Sequence, residues 1–415
     1  MTQSPAAGCA RTPPVPLARD PHLSLYLLIA ACVAADLSFV PLLPALRASR
    51  GLSGTEAALL LSAGTVAMII APVPLGHLTD RLGARRLLTA AGVLVTVASV
   101  TLATADGFAA LLVGRVLIGL TNAIIWTAGA ALAADRPGAV TRAIGAGGAG
   151  RLAGPLLASA LAGQAGARAV FAAAAVLALA TTIVFHHADR QATTPPASES
   201  VQHAVAGPLR PALRNSSVQI AALGLLLLGF TEGAGNLLAP AQLHADGLTS
   251  ASIGALGTLA AAVAFATTTL ARRLLERHDT TMLLCASAAV ALGVAWLIPV
   301  ASASVPAIAS FLVAFAVART LLNPASYLLA RQGAAAASAG PAITLGATNL
   351  LLGVGGLTGP LLASLGLTHP RPTQAAIALL CLASATAITR TARRHATAKP
   401  AGWATPEQDQ APTRQ

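Results

Sequence analysis

Aromatic residues make up only 3% of this 415-residue chain and charged residues only 10%, against roughly 25% charged in ordinary globular chains. So little charge excludes both a soluble multidomain protein and a long disordered one. Lysine occurs once, at Lys399, and aromatics hardly interleave with the arginines, so the formal charge of +12 does not describe a nucleic-acid-binding surface. The four cysteines, Cys9, Cys32, Cys285 and Cys381, are scattered along the chain. That spacing supports neither a disulfide framework nor a metal site, and no cofactor motif is present. There is no phosphate-cradling loop to power work by hydrolysis. No cluster of His, Asp, Glu or Ser marks an enzyme embedded in a membrane surface, and no obligate protein partner is evident. The chain reads as neither an enzyme nor a receptor.

What is present is apolar: 55% of the residues, with a mean hydropathy of +0.72. Stretches of about 20 apolar residues cross a bilayer as helices. Twelve occur, at 24–46, 55–75, 87–105, 108–134, 143–164, 167–186, 218–242, 250–271, 280–301, 303–330, 338–367 and 373–390. The expected fold is therefore all-α and integral to a membrane, with the lipid bilayer as solvent. Small residues in "IAAC", ending at Cys32, resemble a cleavage box. Eleven further spans with consistent topology argue against processing there.

Arginines of short connections collect on the cytoplasmic side. Arg47, Arg50, Arg168 and Arg371 fall in one set of connections, and Arg115, Arg151 and Arg319 fall inside spans. Every other Lys and Arg lies in the opposite set or in the tails. Both termini are thus expected in the cytoplasm and the protein in the cell (inner, cytoplasmic) membrane.

The Pro-rich, basic stretch between the sixth and seventh spans is the only long connection. It divides the chain into a disordered N-terminal tail (1–22), a six-helix bundle (23–186), a central loop (187–217), a second six-helix bundle (218–391) and a C-terminal tail (392–415). The halves echo each other. At one constant offset Asp36 falls on Glu232, Pro44 on Pro240, Asp80 on Glu276 and Arg81 on Arg277. The segment GPLLAS occurs at Gly154 and again at Gly359, each copy with a glycine four residues upstream, Gly150 and Gly355. Parallel repeats of six spans enclosing a midplane site are a standard transporter construction. Gly150, Gly154, Pro155, Gly355, Gly359 and Pro360 are read as positions for close helix packing and bending, where the two halves hinge.

After the second span stands "GHLTDRLGARRLL". Gly76 and Gly83 allow a tight turn, Asp80 accepts hydrogen bonds, and Arg81, Arg85 and Arg86 hold the loop on the cytoplasmic side. This stretch, its position and the six-plus-six arrangement resemble the major facilitator superfamily, whose signature joins spans two and three as a cytoplasmic gate. Arg115 and Gly119 resemble the family's fourth-span arginine and glycine, with Ile118 where glutamine is frequent. "GRLAGPLLAS" resembles the fifth-span motif of the drug and proton antiporters, with Ala158 and Ser159 at its last two glycine positions. The resemblance implies a secondary transporter working by alternating access.

Charges at the bilayer centre cost about 2.5–3.5 kcal/mol each on insertion scales, so they mark function or tight pairing. Five are expected there: Asp36, Glu232, Arg115, Arg151 and Arg319. Asp36 and Glu232 are candidate proton carriers, since a carboxylate in a poorly hydrated cavity can gain and lose a proton as its surroundings change. They are equally readable as acids paired permanently with the arginines. Arg115 is the structural member or the tuner of an acid, whereas Arg151 and Arg319 are candidate contacts for an anion. Asn122, Trp126, Asn236, Asn323, Tyr327 and Asn349 add hydrogen-bonding or stacking groups. The resulting expectation is proton-coupled efflux of a small organic compound, with proton-linked uptake of an organic anion as the alternative.

Overall fold

The computed structural model describes residues 22–129, 132–133, 139–191, 209–275, 281–302, 304–337 and 341–397. The expected N-terminal tail, most of the central loop, the far C-terminus and the second gate pair, Glu276 and Arg277, lie outside this set.

The helices are α1 (Leu23–Arg50), α2 (Gly54–Ile70), α3 (Pro72–Leu82), α4 (Ala84–Thr104), α5 (Phe108–Ile124), α6 (Ala139–Gln191), α7 (Leu209–Arg214), α8 (Ser216–Ala245), α9 (Ser250–Leu275), α10 (Thr281–Ala301), α11 (Val305–Ala336), α12 (Pro341–Leu365) and α13 (Pro370–Thr397). Among the described residues ten helical segments are long and apolar enough to cross a membrane, and Gly54–Ile70 is a shorter apolar one. One of the ten, Arg142–Ala188, contains the fifth and sixth expected spans, divided at Gly166 with φ 74° and ψ −178°. The protein is a multi-pass membrane protein. Its outward faces agree: Val93, Val97 and Val100 on α4, and Val176, Leu179 and Ile183 on α6, are all exposed. Such apolar rows are tolerated facing lipid rather than water.

Local chemistry sets the ends. Helix α1 stops at Gly51, which takes the left-handed conformation (φ 64°) while Leu52 N–H donates to the Arg47 carbonyl at 3.0 Å. Ser53 and Glu56 then form a reciprocal capping box that starts α2. At the equivalent place in the second half Gly247 has φ 85°, and Thr249 accepts from the Ser252 N–H at 3.2 Å.

Several boundaries differ from the sequence reading. The second span bends at Ala71, where Pro72 begins α3, because a proline has no N–H for the preceding turn. Gly76 lies inside α3, so the turn expected of two glycines is made by Gly83 alone, with φ 85°. The fourth span changes at Ile125 into a short π-helical segment, Ile125–Gly129. Helix α13 runs to Thr397, past the expected start of the C-terminal tail, and a short helix, α7, stands within the expected central loop.

Within each half one helix pair is built on glycine. A Cβ at Gly154 would meet the Ala34 carbonyl oxygen at 2.7 Å, and one at Gly150 would strike the Ala30 carbonyl oxygen. In the second half Gly359 and Gly355 lie in the same way against the carbonyl oxygens of Phe230 and Leu226. These contacts join α6 to α1 and α12 to α8, so the repeated motif seals helices inside a half. The first copy also reaches the other half, since its Pro155 and Ser159 face Gly254. The halves meet along α2 with α12 and α6 with α9.

Candidate functional site

The two acids face the region between the halves, and each meets an arginine of its own half. Asp36 on α1 accepts from Arg115 Nη1 at 2.6 Å through one oxygen and from Asn122 Nδ2 at 3.1 Å through the other. Arg115 also donates from Nε to the Leu60 carbonyl at 3.1 Å, and its guanidinium lies 4.7 Å from the centre of the Phe39 ring. With its side chain 6% exposed, Arg115 is enclosed and bonded through Nε and Nη1.

Glu232 on α8 is held differently. Its Oε1 accepts from Arg319 Nη1 at 2.6 Å and from Arg151 Nη1 at 2.7 Å. Arg319 belongs to α11 of the same half, whereas Arg151 comes from α6 of the other. The ion pair therefore crosses between halves. Arg151 is the most open of the three, its side chain 40% exposed against 23% for Glu232 and 19% for Arg319. Asp36 and Tyr327 also lie within electrostatic reach of Arg151.

These three groups line a cavity of about 120 Å³ that also touches Asn236. Its opposite wall is apolar, with Phe311, Phe315, Ile253 and Pro155. Trp296 backs that wall, 4.7 Å from Phe311 between ring centres, and Phe311 lies 5.6 Å from Phe315. A larger cavity, about 440 Å³, opens nearer the Gly51 end, lined among others by Arg47, His244 and Leu367.

Of the residues singled out in the sequence, Asp36, Arg115 and Asn122 form one cluster, and Glu232, Arg151, Arg319 and Asn236 the other. Trp126 is exposed, lies in the π-helical segment, and faces Gly147 at 3.1 Å from where its Cβ would be. It does not line the 120 Å³ cavity. Tyr327 donates to Asn349 Oδ1, joining α11 to α12, while Asn323 Oδ1 is buried with no hydrogen-bond partner among the described residues. In the gate segment Arg81 and Arg86 are exposed and Arg85 half-buried. The side chain of Asp80 lies outside the described set.

Sequence reasoning missed Phe39 and the wall of Phe311, Phe315 and Trp296. Phe39 was findable in part, since it follows Asp36 by three residues and so shares its helix face. The aromatic wall draws on α10 and α11, and no local spacing brings those together.

An all-helical membrane protein of twelve spans, with paired ionisable groups about a central cavity, is the class that fold and site define. The Major Facilitator Superfamily profile matches residues 25–360, and the chain belongs to that family of transporters. No curated protein matches. Among solved structures it is similar to a bacterial homolog of the human lysosomal transporter Spinster in an inward-facing, unoccupied conformation. There the TM-score is 0.71 at 15% identity, over 93% of this chain and 99% of that one. The occupied form of that homolog gives 0.71 at 16% identity, over 92% and 98%. A point mutant of the nucleoside transporter NupG gives 0.69 at 13% identity, over 90% and 100%. At such identities these likenesses concern the fold.

Proposed function

We propose that this protein exports a small organic compound across the cell membrane in exchange for protons, by alternating access, with both termini in the cytoplasm. The observation that carries the reading is Glu232, bound at once by an arginine of its own half and by one of the other. Protonating Glu232 removes the charge that holds Arg151, so proton uptake loosens a contact between halves and proton release restores it. Such a link between protonation and conformation is what coupling requires. Asp36, held by Arg115 and Asn122, is the second proton carrier. The outward direction rests on the antiporter-like "GRLAGPLLAS" and the acid of the first span.

The test is proton movement in proteoliposomes enclosing a pH dye and challenged with a panel of small organic solutes. A transported solute should acidify or alkalinise the lumen with wild type, while Glu232→Gln and Asp36→Asn should lose proton movement and keep solute binding. Wild-type proton movement in Glu232→Gln would remove the coupling role from this acid.

A further inference from the structure

The charges lining the cavity and beside it do not balance. Asp36 and Arg115 neutralise each other within the first half, whereas Glu232 faces both Arg151 and Arg319. One positive charge is in excess where the cavity opens. Both arginines reach the same oxygen of Glu232 through one amino group each, so two guanidinium forks converge on a point that a carboxylate fits. Among the described residues Arg151 has no other hydrogen bond, and it is the most open of the three. The facing wall of Phe311, Phe315, Ile253 and Pro155 is apolar, and the space of about 120 Å³ compares with apolar cavities of about 150 Å³ that take up benzene.

From this we propose that the cavity binds an organic monoanion with a compact apolar body of about one ring, whose anionic group displaces Glu232 from Arg151. The proposal rests on the transport reading above for its consequence, since it assigns the substrate class of that same site. Glu232 acts as a built-in competitor: it keeps the arginines satisfied when the cavity is empty and must yield when an anion arrives. An organic cation of the same size would meet two guanidinium groups and find one carboxylate already occupied by both. The apolar body rests on the aromatic wall, and Asn236 offers an amide at the rim. The repeat places Gly356 where the first half has Arg151, so the excess charge comes from a single residue that the two halves do not share.

The experiment compares three ligands of one shape and different charge, phenylacetate, phenethylamine and phenylacetamide. Each is titrated onto the purified full-length protein in detergent and read by thermal stabilisation. Tryptophan fluorescence is a second readout, taken in a Trp126→Phe, Trp403→Phe background so that it reports Trp296, whose ring lies 4.7 Å from that of Phe311 in the cavity wall. Phenylacetate should stabilise saturably and the other two should not. Glu232→Gln should tighten phenylacetate at least tenfold by removing the competitor, and Arg151→Gln should weaken it at least tenfold, with Arg151→Lys between them. Equal or better stabilisation by phenethylamine or phenylacetamide, stabilisation by none of the three, or weaker phenylacetate binding in Glu232→Gln would each overturn the proposal. Proton movement distinguishes the two readings. An anion that binds and crosses without moving protons overturns the coupling and leaves the substrate class, whereas a neutral or cationic solute that moves protons does the reverse.

Discussion

The acid of the first half and the acid of the second begin from the same plan and end in different circumstances. Asp36 and Glu232 occupy equivalent places in the repeat, and each is bound by an arginine three spans further along, Arg115 or Arg319. Around Asp36 the bonding is internal, with both oxygens bonded inside its own half and Arg115 pressed on Phe39. Around Glu232 the shell is shared, and its second arginine arrives from across the cavity. The contrast shows how a duplicated scaffold diverges: one copy of the ion pair is completed within its own half, and the other is completed by an arginine from across the cavity. Arg151 makes the difference.

The comparison is broken most directly by removing each arginine in turn and measuring unfolding of the purified protein in detergent. Arg115→Ala empties an enclosed site, loses the packing on Phe39 and strips Asp36 of its cation, and should cost about 3 kcal/mol, the low end for a buried pair because Asp36 itself is 26% exposed. The glycine seams come next. A Cβ at Gly359 would overlap the Phe230 carbonyl oxygen outright, while the mate at Gly154 has 2.7 Å to that of Ala34. Overpacking of tight interiors costs about 1–3 kcal/mol, so Gly359→Ala should lie toward the top of that range and Gly154→Ala toward the bottom. Equal losses would mean that the two seams are equally tight. Arg151→Ala removes an open ion pair and leaves Glu232 with Arg319, so its effect on unfolding should stay within about 1 kcal/mol. A loss as large as that of Arg115→Ala would erase the distinction between an internal and a shared pair.

The smallest effect belongs to the loops. Asp106, between α4 and α5, accepts from Arg50 at 3.0 Å and from Arg168 at 2.9 Å. The Arg50 hydrogen bond first, and then the charge of Arg168, hold its carboxyl below the ordinary value. A depressed folded pKa stabilises the protein above the unfolded value, near 4, and that contribution fades as pH falls through the folded one. Asp106→Asn should therefore lower thermal stability slightly at neutral pH and flatten its decline below about pH 4, so that variant and wild type converge in acid. The difference should shrink in high salt because the group is exposed.

Much of this was legible beforehand. Length and apolarity alone placed the spans, since a bilayer imposes one helix length on every segment. The small-residue spacing of GPLLAS marked the close pairs, and the five membrane-embedded charges were the ones that met. Three things were not legible. The bend at Ala71, although Pro72 marks it, and the π-helical segment after Ile124 both interrupt apolar runs that read as single continuous helices. Gly76 carried the signal of a turn yet lies in α3, because Gly83 alone supplies the positive φ that the turn requires. And no spacing told that Arg151, unusual in its own motif, would reach Glu232 rather than Asp36.

The two contacts between halves differ in material. Where α2 meets α12, glycines face side chains, with Gly54 against Leu367 and Gly356 against Thr65. Where α6 meets α9, Gly148 and Gly257 face side chains too, but Gly254 faces main chain, with a Cβ there 2.7 Å from the Pro155 carbonyl oxygen and 2.8 Å from the Ser159 nitrogen. Side chains can change rotamer and let one surface slip past another, but apposed backbones have no such give. In mechanical terms, on the alternating-access reading proposed above, α6 and α9 would form the hinge of a door, and the pair of Glu232 and Arg151, which lines the same cavity as Pro155, a catch close to it.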